Sequence, residues 1–209
     1  LHRGASLSGA VPRLRGIHAT LPGQYGVAPS SGIGEKFEYL DGQVYAMSGA
    51  STPHVFIQAN LVRHLGNLLS GSGCKVLGSD LHVHVEASGL YAHPDATVIC
   101  GPPVADKIHG ITNPKILIEV LSPSSRRYDQ VGKFGLYRAI PSLEEYVLVE
   151  QDRHSVDCHR RTADGHWELT RYLGETAALV LTSVNVTLPL AMIYEDVPFA
   201  AAERETEQP

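Results

Sequence analysis

A chain of 209 residues with 43% hydrophobic and 19% charged side chains is long enough to bury a sizeable core and ordinary in composition for a globular protein. Its net charge of −5 excludes a broadly basic nucleic-acid binder, though not a local basic groove. No apolar run approaches the length of a membrane span, so no membrane partner is expected.

Residues 1–34 are rich in Gly, Ser, Pro and Ala and carry Arg3, Arg13 and Arg15 without an acidic residue; they read as a poorly ordered leader ahead of one domain at 35–197, with 198–209 as a frayed tail. Lys36–Leu40 is a short helical or extended piece, Asp41-Gly42 a turn, and Gln43–Ser48 a strand. Ser51-Thr52-Pro53 opens a helix, with a hydroxyl cap and a proline where no N–H is needed. Val55, Ala59, Val62, Leu65 and Leu69 follow at helical spacing, widened by Leu61 and Leu68, and Gly71-Ser72-Gly73 ends the run.

Lys75–Ser79 is a short strand and Asp80–Glu86 a clearer one. Leu81, Val83 and Val85 alternate there with His82, His84 and Glu86. Tyr91–Cys100 reads as one further apolar strand. The three cysteines, Cys74, Cys100 and Cys158, are far apart and odd in number. They suggest buried small hydrophobes rather than a disulfide framework, and with that a reducing, cytoplasmic location.

Ile116–Leu121 has the composition of a strand covered on both faces, with Glu119 in its middle. A carboxylate there is costly unless paired, protonated or bound to a cation. Ser122-Pro123-Ser124-Ser125 stops the strand, and Arg126–Ala139 reads as a helix. Leu143–Glu150, His154–Arg161 and Trp167–Leu173 form a meander, Ala178–Leu188 adds edge strands and Leu190–Tyr194 a helical turn. This order is α/β or α+β, with helices covering a mixed sheet.

Asp95, beside Pro94 near the start of an apolar strand, and Glu119, 24 residues later on another, are carboxylates that can converge on a hard divalent cation. A lysine is the usual third group. Position 121, on the same strand face as Glu119, is Leu, and Lys115 is roughly 13 Å away along the strand. Lys133 is the better candidate, because Asp129, Lys133 and Tyr137 recur every four residues on the following helix and form one polar ridge. The ordinary alternative is an Asp–Lys pair on a solvated helix face. His54, in the first turn of the first helix, is a candidate phosphate contact or a solvent-facing histidine. Arg126, Arg127, Lys133 and Arg138 against Asp129 give the second helix a local positive charge that suits a phosphate backbone and equally an ordinary surface helix. His82, His84 and His93 form either a His-rich metal site or the wetter face of a strand.

The segments FEYLDGQVYAMSGAS (37–51), HPDATVICGPP (93–103), ILIEVLSPSSRRYDQVGKFGLYR (116–138) and PSLEEYVLVEQDR (141–153) together resemble the Uma-type restriction endonucleases, a branch of the PD-(D/E)XK nuclease superfamily. The resemblance runs from about Lys36 to Val197. It implies a restriction-endonuclease-like core with a central mixed sheet flanked by helices, and a nuclease acting on nucleic acid, DNA in the first instance, with Mg²⁺ or Mn²⁺. It further implies Asp95, Glu119 and Glu38 as metal carboxylates and Lys133 as a relocated catalytic lysine. Asp129, Tyr137, Arg126, Arg127 and His54 would face the substrate. Cleavage of two strands implies a homodimer, with Tyr146 and Trp167 as interface material. Gln43 departs from the Glu common in the family, which puts one carboxylate in doubt. A non-catalytic binding or assembly protein on the same fold is the alternative, and a His-rich metal-binding protein a further one.

Overall fold

The structure, a computed structural model, describes residues 36–40, 43–47 and 49–199; the expected leader, the Asp41-Gly42 turn and residues 200–209 lie outside them. The central sheet has six strands: β3 (Cys74–Gly78), β6 (Ala96–Cys100), β7 (Ile116–Leu121), β8 (Glu145–Glu150), β9 (Ser155–Arg161) and β10 (Trp167–Leu173), in the order β10-β9-β8-β7-β6-β3. β7 and β8 run parallel, from Ile116 beside Glu145 to Leu121 beside Glu150; the other neighbours are antiparallel. A parallel pair needs a crossover rather than a hairpin, and the helical segment at 126–137 provides it.

All residues of β7 are buried, because each face of the strand is covered. Ile116, Ile118 and Val120 face helix α1 (Thr52–Leu68) in one apolar cluster, with Val147, Val149, Leu179, Leu188 and Ile193. Leu117 and Leu121 join Tyr137, Ile140, Tyr146 and Leu148 in a second cluster on the other face. Alternation places Glu119 on that second face. There it stands where an apolar residue would complete the cluster.

A second sheet, antiparallel in the order β2-β1-β5-β4, is built from β1 (Phe37–Leu40), β2 (Gln43–Ala46), β4 (Val83–Val85) and β5 (Leu90–Ala92). Its Val83, Val85, Leu90 and Ala92 close the second cluster. Lys36–Leu40 is thus extended rather than helical. The single strand expected over Tyr91–Cys100 is two strands in two different sheets, broken at His93-Pro94-Asp95. Proline cannot donate to a ladder, and the break turns the chain from one sheet into the other.

Helix α1 starts as expected, with Ser51 Oγ accepting from His54 N, but its buried row is Ile57, Leu61, Leu65 and Leu69. Leu61, Leu65 and Leu69 of the expected stripe are buried, and its first turn differs, with Ile57 buried instead of Val55. Val55 and Leu68 are exposed, and Val55, Ala59 and Val62 line a shallow groove beside Gly78–Asp80. The helix carries two apolar rows, and the one facing the sheet packs over β3, β6 and β7. The hairpin of β11 (Ala178–Leu181) and β12 (Val186–Pro189) and the turn α3 (Leu190–Ile193) close the far side. Phe199, placed in the expected tail, packs against Tyr194 with ring centroids 5.6 Å apart. Fully buried Glu145 ties this hairpin to the sheet, accepting from Arg160 Nε (2.9 Å), Thr182 N (3.1 Å) and Ser183 Oγ (2.6 Å).

The cysteine expectation is corrected. Cys74 and Cys100 are cross-strand partners on β3 and β6 and are joined as a disulfide, so cysteine usage no longer supports a reducing compartment. Cys158 is free and buried as expected, and burial pushes its thiol up to about 12. No helix among the described residues is long and apolar enough to cross a membrane.

Candidate active site

After β7, Ser122 Oγ accepts from Ser125 N (3.1 Å) and Ser122 O from Arg126 N (2.9 Å), which starts the crossover helix. It is not a uniform α-helix. Tyr128–Lys133 form a π-helical stretch, followed by the α-helical turn α2 (Phe134–Tyr137). Such stretches shift the register of side chains and recur at functional sites. Asp129, Lys133 and Tyr137 all point inward and are buried, which rules out the solvated-face alternative.

Lys133 is the hub. Its ammonium lies 2.7 Å from Glu38 Oε1 on β1, 3.1 Å from Glu119 Oε1 on β7 and 3.2 Å from Asp129 Oδ1 on its own helix. Tyr137 OH donates to the same Glu119 oxygen at 3.0 Å, and Tyr146 OH donates to Asp129 O at 3.0 Å. Lys133 makes a directed hydrogen bond to Glu119. Glu38 Oε1 and Asp129 Oδ1 are paired to it by charge but lie off the hydrogen-bonding direction and have no other hydrogen-bond partner among the described residues.

Three carboxylates against one ammonium leave this buried site short of positive charge. Burial pushes Glu119 well above the ordinary carboxylate range, against the pull of Lys133. Asp129 is raised for the same reason. Burial works against the Lys133 ammonium, but the attraction of Glu119, Glu38 and Asp129 overcomes it and holds the amine well above its usual value.

Asp95 stands beside this cluster. Its Oδ2 accepts from Val120 N at 2.7 Å, next to Glu119 along β7, and its Oδ1 pairs with His54 Nε2 at 2.9 Å. Gln58 Nε2 donates to Asp95 O at 3.0 Å, so the start of α1 is pinned to the Pro94-Asp95 bend. Glu38, Glu119, Asp129, Lys133 and Tyr137 are therefore brought together, with Asp95 and His54 adjoining them.

Several expectations change. The site lies at the middle of the sheet, because β7 has neighbours on both sides. Tyr137 and Asp129 are buried and engage Glu119 and Lys133 directly. His54 is engaged by Asp95. The Arg126 guanidinium is held by Glu150, with Asp152 3.7 Å away; Arg127 is exposed. Gln43 is exposed and accepts from Tyr45 OH at 2.8 Å, so its substitution takes no carboxylate from the Lys133 cluster. Tyr146 is fully buried and is excluded as interface material. Trp167 is half-buried against Phe134 and Arg161. His84 pairs with Asp106 at 2.8 Å and stacks on Tyr91 at 4.1 Å, while His93 bonds Ser79 O at 3.0 Å. These histidines are engaged separately, and no group of three or more His, Cys, Asp or Glu among the described residues forms a ready metal cage. Sequence reasoning missed the His54–Asp95 link, for which a histidine three residues after a helix cap was the available sign. It also missed Tyr128, which precedes the Asp129 ridge by one residue.

A central mixed sheet with a parallel pair at its centre, a helical crossover and a Glu–Lys cluster at the carboxylate-bearing strand places the molecule in the restriction-endonuclease-like fold class. A structure of a putative nuclease of DUF820 from Anabaena variabilis superposes with a TM-score of 0.61, covering 76% of this chain and 89% of that one at 15% identity. The family described as "Uma2: Putative restriction endonuclease" matches residues 24–191, and the chain belongs to that family. Two uncharacterized proteins of Synechocystis sp. are similar along most of their length. One, slr1290, is 36% identical over 165 residues, 79% of this chain and 86% of its own; the other, sll1609, is 32% identical over 154 residues, 73% and 87% respectively.

Proposed function

We propose that the chain is a divalent-metal-dependent nuclease that hydrolyses phosphodiester bonds of nucleic acid, with DNA as substrate and Mg²⁺ or Mn²⁺ as cofactor. The observation that carries this reading is the Lys133 cluster. A structural ion pair needs one carboxylate, whereas Lys133 faces three, with Asp95 beside them. The donors around Lys133 are all oxygens, two of them lack a directed hydrogen bond, and the charge is in deficit; this set fits a hard cation. Glu119, Asp95 and Glu38 are the residues that would hold it. When bound, such a cation activates water and neutralises charge developing on the phosphodiester.

The protein's own residues then divide the remaining work. Tyr137 OH fixes the Glu119 carboxylate, and Val120 N–H with His54 fixes that of Asp95. Lys133, kept charged by its neighbours, orients the attacking water and offsets negative charge in the transition state. Arrival of the ammonium from the crossover helix rather than from position 121 leaves Leu121 free to fill the second core cluster. Because two strands must be cut, a homodimer belongs to the same reading, and exposed edge strand β10, with half-buried Trp167, is the available surface.

The test is calorimetric titration with Mg²⁺, Mn²⁺ and Zn²⁺ alongside a cleavage assay on plasmid DNA, for wild type and Glu119→Gln. Binding of Mg²⁺ or Mn²⁺ and cleavage that are both lost in the variant support the reading. Cleavage equal in the two proteins overturns it. A non-catalytic assembly role is the second reading, favoured by Leu at position 121 and by Lys133 being already neutralised. It requires the absence of metal binding and cleavage in wild type.

A further inference from the structure

The π-helical stretch that carries Lys133 also carries Tyr128, which the reading above does not use. Its ring centroid lies 5.6 Å from the Lys133 ammonium, within the reach of cation–π attraction. Gly132 is the seat of that ring. A Cβ at position 132 would stand 2.6 Å from Tyr128 Cδ2 and 3.0 Å from Cε2. The backbone itself does not ask for glycine there, since Gly132 is not among the positive-φ residues, and glycine inside a helix costs about 0.5–1 kcal/mol relative to alanine. The Tyr128 ring is the local feature that requires it. Gly135, one turn on, has nothing within 4 Å of the same construction.

Tyr128 differs from its neighbours in two ways. It is half-buried, where Asp129, Lys133 and Tyr137 are buried. Among the described residues no hydrogen bond engages its hydroxyl, whereas Tyr137 and Tyr146 spend theirs on Glu119 and on Asp129 O. Burial pushes that hydroxyl above its ordinary range, and Glu38 and Asp129 add to the effect against Lys133. It therefore stays protonated and remains a donor.

A phosphodiester approaching this site meets a group of carboxylates that repels it, and it needs donors to settle there. Lys133 is already shared among three acceptors, and Arg126 is held by Glu150. We propose that Tyr128 contacts the substrate: seated on Gly132, its ring caps the Lys133 ammonium and its hydroxyl donates to a non-bridging oxygen of the phosphodiester. This inference rests on the nuclease reading.

The experiment measures fluorescence anisotropy of a labelled oligothymidylate with Ca²⁺ in place of Mg²⁺, and plasmid cleavage with Mg²⁺. It compares wild type, Tyr128→Phe, Gly132→Ala and the control Gly135→Ala. Tyr128→Phe keeps the ring and is expected to weaken oligonucleotide binding about tenfold, the loss typical of one hydrogen bond to a charged group. Melting temperature should not change. Gly132→Ala unseats the ring and is expected to weaken binding at least as much and to lower kcat, because Lys133 loses its cap. Gly135→Ala should match wild type in both assays. Should Gly132→Ala fold poorly, Tyr128→Phe alone decides. Wild-type binding and cleavage with an unaffected Tyr128→Phe overturns the Tyr128 contact and leaves the nuclease reading standing. A wild type that neither binds nor cleaves overturns both.

Discussion

Replacing Lys133 with Met keeps most of the stem and removes the charge, which exposes what the ammonium is worth. Glu38, Glu119 and Asp129 lie 2.7, 3.1 and 3.2 Å from it, and all are buried. Removing one partner of a buried ion pair costs roughly 3–5 kcal/mol. Having three partners argues for the upper end, while proton uptake by Glu119 and Asp129, whose affinities for a proton are already raised, argues for the lower. At about 2–4 °C per kcal/mol for a chain of this size, the melting temperature should fall by roughly 6–20 °C near pH 8. The pH dependence has a definite sign. A carboxyl whose folded-state pKa is raised contributes its full stability below its unfolded value, about 4, and loses it as pH rises toward the folded value. Lys133→Met deletes the attraction that restrains these values, so the loss runs further. Lys133 itself, with its raised pKa, is charged throughout this window. The gap between wild type and variant should therefore be smallest near pH 4.5 and widen toward pH 8. Thermal melts at pH 4.5, 6 and 8 in low salt measure it. A gap that stays constant with pH, or that closes at pH 8, refutes a charged and buried cluster.

Glu119→Gln should abolish metal-dependent cleavage while leaving the metal-free melting temperature unchanged or higher, because one of three mutually repelling carboxylates is gone and Tyr137 OH keeps an acceptor; a clear drop in thermal stability with unaltered cleavage would make Glu119 structural. Glu145→Ala is expected to cost roughly 1–3 kcal/mol in urea denaturation, since it removes the acceptor of Arg160 Nε and of the donors of Thr182 and Ser183, while Arg160 keeps its bond to Val180 O. A loss under about 1 kcal/mol would mean that water replaces those contacts. Light scattering at micromolar concentration should report a dimer, and a monomer at every concentration would remove the two-site model of double-strand cleavage.

The legible parts of the chain were those where one pattern has one structural meaning. Ile116–Leu121 has the β-branched and aliphatic composition of a strand covered on both faces, and the carboxylate in it stood out as misplaced. The meander from Glu145 to Leu173 was marked by its turns at Asp152-Arg153 and Ala163-Asp164-Gly165. Where two patterns competed, the sequence was silent about the winner. Helix α1 bears Val55-Ala59-Val62 and Ile57-Leu61-Leu65 at the same helical spacing, and the position of the sheet decides between them. Tyr91–Cys100 is apolar on both sides of Pro94, so periodicity could not reveal that the two halves belong to different sheets. The Cys74–Cys100 link depends on a strand register that spacing along the chain does not carry. For the site, the four-residue recurrence of Asp129, Lys133 and Tyr137 was visible, but not which way the ridge faced. The π-helical stretch that aims it, and the seating of Tyr128 on Gly132, are properties of the packed helix.

That packing also bears on why an acidic cluster persists at the centre of a core. Glu119 occupies a position on the second apolar face where leucine would add burial worth about 1.5–3 kcal/mol. The carboxylate instead requires Lys133, Tyr137 and a departure from α-helical geometry to satisfy it. Asp129, adding another negative charge beside it, offers stability nothing that an uncharged hydrogen-bond acceptor would not supply more cheaply. An arrangement selected for stability alone would match the charges one to one. Under the proposed nuclease reading, that surplus is the feature that chemistry with a cation and a phosphate demands. It lies where the parallel strands, the crossover helix and β1 meet, so that a change in any of the three is felt at Glu119.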